Sequence, residues 1–154
     1  MNPAIHQLVE LFENPYPVEW ETQSDKAWIG SFRTEAGIPY RLRFQDIGIQ
    51  YSWMLVFARM RGSREVYKVT GTGDQWRVFA TVLEAINDLL NKQYIKQLTF
   101  AAKEKSRRGL YELIIKKALE PRGFFLDQTY NADGSKHYIL KREWFDVIPG
   151  AVVA

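Results

Sequence analysis

The run from Glu65 to Ala101 limits what this chain can fold into more than any other. Val66, Tyr67 and Val69 form a short apolar strand pattern that meets a Gly-x-Gly turn at Gly71 and Gly73. Beyond the turn, Phe79, Val82, Leu83, Ile86, Leu89 and Leu90 recur at helical spacing, with Thr81, Glu84, Asn87 and Asp88 between them. That periodicity predicts an amphipathic helix over about 74–91, with its apolar stripe against a core and the second set outward. A second apolar strand is expected at Gln97 to Ala101. Strand, helix and strand in succession place the two strands parallel in one sheet, since only a crossover returns the chain to its starting end. Glu65–Thr70 and Gln97–Ala101 are therefore expected to be parallel.

The flanking segments extend this unit. Asn2-Pro3 suits a helix start, and Ile5, Leu8, Val9 and Phe12 follow at helical spacing until Asn14-Pro15-Tyr16-Pro17 breaks the pattern. Trp28 to Arg33 reads as a strand. Gly37-Ile38-Pro39 turns the chain, and Tyr40, Leu42 and Phe44 then alternate with Arg41, Arg43 and Gln45, the period of a half-buried strand. Ser52 to Met60 is almost continuously apolar, which predicts a central strand covered on both faces. Arg61-Gly62-Ser63-Arg64 is a turn. After the central unit come a charged loop, Lys103 to Arg108, and a helix carrying Leu110, Leu113, Ile114 and Ala118 that ends near Pro121. Strands at Phe124–Tyr130 and Tyr138–Arg142 flank Asn131-Ala132-Asp133-Gly134, a hairpin signal. The expected fold class is α+β: one domain over residues 1–154 with a mixed, largely antiparallel sheet and a central parallel strand–helix–strand unit.

Composition narrows the chemistry. With no cysteine, disulfides, thiolate metal sites and cysteine nucleophiles are all excluded. His6 and His137 are the only histidines and lie far apart in sequence, so neither a zinc site nor a Ser–His–Asp triad is indicated. No apolar run approaches membrane-spanning length, and the first residues lack the charged and apolar segments of a signal peptide, so a cytoplasmic protein is expected. The net charge of +3 permits an anionic partner, nucleic acid included, without indicating one.

The order helix, four strands, helix, strand, helix, two strands, with a Gly-x-Gly turn after the fourth strand, resembles the GNAT superfamily of acyl-coenzyme-A-dependent N-acyltransferases. The family's cofactor signature is Arg or Gln, two residues, Gly, one residue, then Gly or Ala. Lys68-Val69-Thr70-Gly71-Thr72-Gly73 has that spacing, with Lys in first place. The resemblance implies that Lys68, Val69, Gly71, Thr72 and Gly73 hold the pyrophosphate of acetyl-CoA on backbone N–H groups at a helix N-terminus. Leu110-Tyr111-Glu112 and Gly123-Phe124 match the words of a second family motif, which gives Tyr111 the role of protonating the departing thiolate. Glu65, at the start of the fourth strand, is the candidate base for the amine.

Three features depart from the family. Asp74 follows Gly73, where it would repel phosphate or cap the helix; the two parts of the second motif are widely separated; and Arg107 stands where a small residue is usual. The Thr-Gly-x-Gly-Asp turn and the later Ser-Arg-x-x-Leu-Tyr also resemble proteins of tailed bacteriophages. Two functions thus stand side by side: an N-acetyltransferase that takes acetyl-CoA and an amine acceptor, or an inactive protein of the same fold that binds a host or virion protein. Each candidate residue has an ordinary structural role as well. Gly71 and Gly73 serve a tight turn, Tyr111 packs in a core, and Glu65 is a solvated strand-end charge.

Overall fold

A computed structural model describes the backbone of residues 14–62, 64–66, 75–102 and 111–143, and the side chains of all these except 64–66, 75, 76 and 102. Among the described residues eight strands form one mixed sheet. In chain order they are β1 (Glu19–Gln23), β2 (Ala27–Arg33), β3 (Pro39–Asp46), β4 (Ser52–Arg61), β5 (Arg64–Val66), β6 (Gln97–Ala102), β7 (Phe125–Ala132) and β8 (Ser135–Lys141). Helix α1 (Gln75–Lys92) joins β5 to β6. A second helical segment, α2, runs through residues 111–114, the π turn Ile115–Leu119 and the 3-10 turn Glu120–Arg122. The spatial order is β1-β2-β3-β4-β6-β8-β7, with β5 paired to β4 off this path.

The first four strands form an antiparallel meander, as short turns require. Alternation in β3 sets the sheet's two faces. Tyr40, Leu42 and Phe44 are buried, while Arg41 and Arg43 are half-buried. Register carries the buried face across the sheet: Leu42 lies opposite Phe57, Leu55 opposite Phe100, and Phe100 opposite Tyr138. Both helices pack on that face. Phe79 of α1 meets the Phe57 ring edge-on at 5.3 Å, and Tyr111 of α2 stacks on Phe100 at 5.1 Å. The strand expected over Ser52–Met60 is central, between β3 and β6, but it is fully covered on one face only. Trp53, Leu55 and Phe57 are buried on that face; on the other, Ser52 and Ala58 are buried but Met54 and Val56 are only half-buried. Continuous apolar sequence in β4 therefore does not mean helices on both sides of it.

Two other expectations change. Within the described part of the segment before the helix, Arg64–Val66, no residue pairs in parallel with the strand after it. β6 pairs in parallel with β4, over Ser52↔Gln97 to Leu55↔Phe100, and β5 folds back antiparallel onto β4 through the turn at Gly62, whose φ is +63°. The crossover through α1 is present, but its first sheet partner is the long strand one turn earlier. Thr81, placed on the outer side of the helix by periodicity, is fully buried. Its hydroxyl accepts a hydrogen bond from the Tyr16 backbone N–H (2.8 Å) and donates to the Arg77 carbonyl (2.7 Å). The chain entering β1 covers that flank of α1, so the buried arc is wider than the apolar stripe. β1 was not separately expected, since EWETQ is exposed apart from half-buried Trp20 and shows no clean alternation.

The second half follows its sequence signals closely. α2 ends at Glu120-Pro121-Arg122, and Gly123 takes a left-handed conformation at φ +90°. Asp133 (φ +51°) and Gly134 (φ +74°) make the two-residue turn of the β7–β8 hairpin. The expected amphipathic segment before residue 14, the residue 67–74 turn, the basic loop before α2 and the tail from Pro149 lie outside the described residues.

Candidate active site

The parallel ladder between β4 and β6 is short. It stops at Leu55↔Phe100, although β4 runs on to Arg61 and β6 to Ala102. Each strand keeps its outer partner past that point. β3 stays on β4 to Tyr40↔Arg59, and β8 stays on β6 to Ala102↔Lys136. Two parallel strands that hold their outer neighbours while losing each other must diverge. Arg59 is paired both with Tyr40 and with Val66, so β5 occupies the β6-facing edge of β4 over Arg59–Arg61. Among the described residues, the β4–β6 ladder has no bridge after Leu55↔Phe100, and β5 takes that edge of β4 from Arg59 onward.

Aromatic rings floor the gap. Tyr111, 5% exposed, stacks on Phe100 (5.1 Å) and lies 5.6 Å from Phe57, 6.3 Å from Tyr138 and 6.4 Å from Phe79, ring centre to ring centre. Phe100 in turn stacks on Tyr138 at 5.4 Å. A void of about 10 Å³ remains between Phe57, Val82, Phe100, Tyr111 and Ile114. That is the size of a packing defect and holds at most one water. The Tyr111 ring is built into the core beneath the diverging strands.

The other candidates are less fully placed. Glu65 lies on β5 opposite Met60, so its backbone is two residues from the open stretch of β4 in register. Lys68, Val69, Gly71, Thr72 and Gly73, with Asp74, lie outside the described residues. Gly123 closes α2, and Phe124 is 2% exposed beneath the Arg142 guanidinium at 4.4 Å. This pair therefore has a packing role. His137 stacks on Tyr130 at 4.6 Å on the β7–β8 hairpin. Among the described residues no group of three His, Asp or Glu side chains could hold a metal, and no helix is long and apolar enough to cross a membrane. The rings that surround Tyr111 were legible only as strand residues. Alternation shows that Phe57, Phe100 and Tyr138 point inward but not that they meet.

No curated protein matches this sequence. A crystal structure of a protein provisionally described as a phosphinothricin N-acetyltransferase is similar over 79% of this chain and 71% of its own, at 15% identity and a TM-score of 0.46. At that identity and score the likeness brings neither activity nor substrate to this chain. The profile of a family of unknown function, DUF6934, matches residues 13–137, from just before β1 into β8, and the chain belongs to that family.

Proposed function

We propose that this protein is an acyl-CoA-dependent N-acyltransferase that moves an acetyl group from acetyl-CoA to an amine. The observation that carries the proposal is the divergence of β4 and β6 beyond Leu55 and Phe100, with Tyr111 beneath it. An extended pantetheine chain suits an opening between two diverging strands, and an apolar ring floor suits a thioester. The Lys68–Gly73 turn immediately precedes α1 in sequence. Its backbone N–H groups would take the pyrophosphate at the helix N-terminus. In the reaction the neutral amine attacks the thioester carbonyl, the C–N bond forms and the C–S bond breaks. The amine gives up a proton, with Glu65 as the nearest candidate acceptor, and the thiolate gains one from the Tyr111 hydroxyl. Positioned acid–base help of this kind is worth about 10²–10⁴-fold.

A second function, a protein-binding member of the same fold without catalysis, is favoured by the position of β5. This strand already takes the β4 edge at Arg59–Arg61, which shortens the opening. Titration calorimetry with acetyl-CoA, followed by a thiol-release assay with a panel of amines, separates the two. Saturable binding and amine-dependent thiol release are expected. Absence of binding at millimolar acetyl-CoA would leave the protein-binding function in its place.

A further inference from the structure

The two edges of the sheet path differ in how open they are. Edge strand β1 carries Glu19 and Glu21, charges of the kind that keep an exposed edge from pairing. Edge strand β7 lacks that protection in its second half. Gln128-Thr129-Tyr130-Asn131-Ala132 contains no charge, proline or glycine, and every residue from Phe125 to Asn131 is exposed. The one charge on the strand, Asp127, precedes this stretch and is held by Lys141 at 3.2 Å. Among the described residues no strand lies beyond β7, and Phe125, Leu126 and Tyr130 are large apolar side chains left exposed there. A long edge without guarding charges is a template for another strand.

The hairpin sets which backbone groups this edge presents. Ala132 and Ser135 flank the two-residue turn Asp133-Gly134 and so form its hydrogen-bonded pair. Hydrogen-bonded positions alternate, so Tyr130 and Gln128 also turn their N–H and C=O groups toward β8. Those of Thr129 and Asn131 point the other way, off the edge. The register shift between Leu126 and Gln128 ends the regular stretch. What remains, Gln128–Ala132, is symmetric about Tyr130. One outward-facing residue stands on each side of it, and no charge repels the stretch from its own image. The Tyr130 ring is already fixed, stacked on His137 at 4.6 Å with the planes 4° apart, so covering its outer side loses little rotamer freedom.

We propose that β7 pairs with β7 of a second copy of this chain. The two strands run antiparallel about a two-fold axis at Tyr130. Thr129 of each copy exchanges N–H···O=C bonds with Asn131 of the other, and the two Tyr130 rings meet side by side on the sheet face away from α1 and α2. The symmetry of the edge is what selects a second copy over an unrelated strand. An interface built on one strand falls in the class below about 1,200 Å², that of weak and transient complexes, so association is expected between about 1 µM and 1 mM. At higher dilution the edge is open to water. The pairing does not depend on acyl transfer.

The test uses the absence of cysteine: an introduced thiol can form a disulfide only between copies. Hydrogen-bonded partners have Cα atoms about 5.5 Å apart, within disulfide range, whereas Thr129 lies diagonally from Thr129 of the other copy, at about 7–8 Å, as does Asn131 from Asn131. An oxidised equimolar mixture of Thr129→Cys and Asn131→Cys should therefore form the mixed disulfide about tenfold or more faster than either symmetric one, with the products resolved by intact mass. In sedimentation equilibrium the wild type should dimerise, and Tyr130→Lys, which sets like charges across the axis, should weaken the dimer about tenfold or more while the dilute monomer keeps its circular dichroism spectrum. The proposal is overturned if the wild type stays monomeric at about 1 mM, if the three disulfides form in statistical proportion, or if Tyr130→Lys dimerises like the wild type. Amide protection of β7 that is high at every concentration would mean that the edge is covered within one chain, and would overturn it too.

Discussion

Tyr111 shows how one side chain can be both scaffold and candidate acid. Its ring contacts Phe57, Phe79, Phe100 and Tyr138, so its position is set by packing whatever the hydroxyl does. Tyr111→Ala should therefore cost about 3–5 kcal/mol of stability by urea unfolding, the usual loss for a buried ring. Tyr111→Phe should keep nearly all of that stability. If the acyltransferase proposal holds, it should also lower kcat and leave the affinity for acetyl-CoA unchanged. Full turnover in Tyr111→Phe would remove the hydroxyl from the mechanism. Thr81 poses a sharper question of stability alone. Thr81→Val retains the volume but strands the buried Tyr16 N–H, at a cost of about 1–3 kcal/mol. A loss within the error of the unfolding curves would mean that water or another group takes over. Both residues sit where periodicity predicts a helix. For Thr81 the periodic pattern named the wrong side, because a polar residue counts as outward unless something covers it.

At the scale of elements, the close approach of β1 to β2 depends on the absence of a side chain. A Cβ on Gly30 would fall 2.7 Å from Trp20 Cε3, 2.8 Å from Val18 Cγ1 and 3.1 Å from the Glu19 carbonyl. Two of these neighbours are packed side chains and one is backbone, so relief requires β1 to move. Gly30→Ala should cost about 1–3 kcal/mol. It should also perturb the neighbouring Trp20–Trp28 pair, whose rings are 5.3 Å apart, with a change in tryptophan fluorescence as the readout. An unchanged spectrum with wild-type stability would show that β1 is only loosely docked. The Gly62 turn has the opposite character. A Cβ there meets nothing within 4 Å, so its requirement is conformational, set by φ +63°. Gly62→Ala should cost about 1–2 kcal/mol through the left-handed backbone alone. Reversing β5 at this turn is what puts it on the β4 edge.

For the whole molecule, protection should follow the sheet order. β3 and β4 are flanked on both sides and carry the fully buried Leu42 together with Phe44 and Leu55, while β1 and β7 are the two edges of the path. Amide hydrogen exchange should be slowest at Leu42, Phe44 and Leu55, with protection near the global unfolding free energy, and fastest among the strands in β1 and β7. Equal protection in β7 and β4 would indicate that the β7 edge is covered in solution. That edge exposes Phe125, Leu126 and Tyr130, so the comparison is informative.

Local interactions were readable from the amino-acid sequence wherever they dominate. The period of two in Tyr40–Gln45 named the faces of β3. The stripe from Phe79 to Leu90 named α1, and Asp133-Gly134 named a hairpin turn that demands positive φ. These features depend on residues a few positions apart. Which strand lies beside β6 does not. β4 and the Val66, Tyr67, Val69 pattern both carry apolar residues ahead of the crossover helix, and sequence spacing favours the nearer one. The tertiary structure pairs β6 with the N-terminal half of β4 instead, because the turn at Gly62 sends β5 back along the other half. The same non-local choice ends the β4–β6 ladder at Leu55 and Phe100 and gathers the rings around Tyr111. Side-chain alternation reports the face a residue is on. Neighbours across the sheet are chosen by long-range packing, which no local pattern encodes.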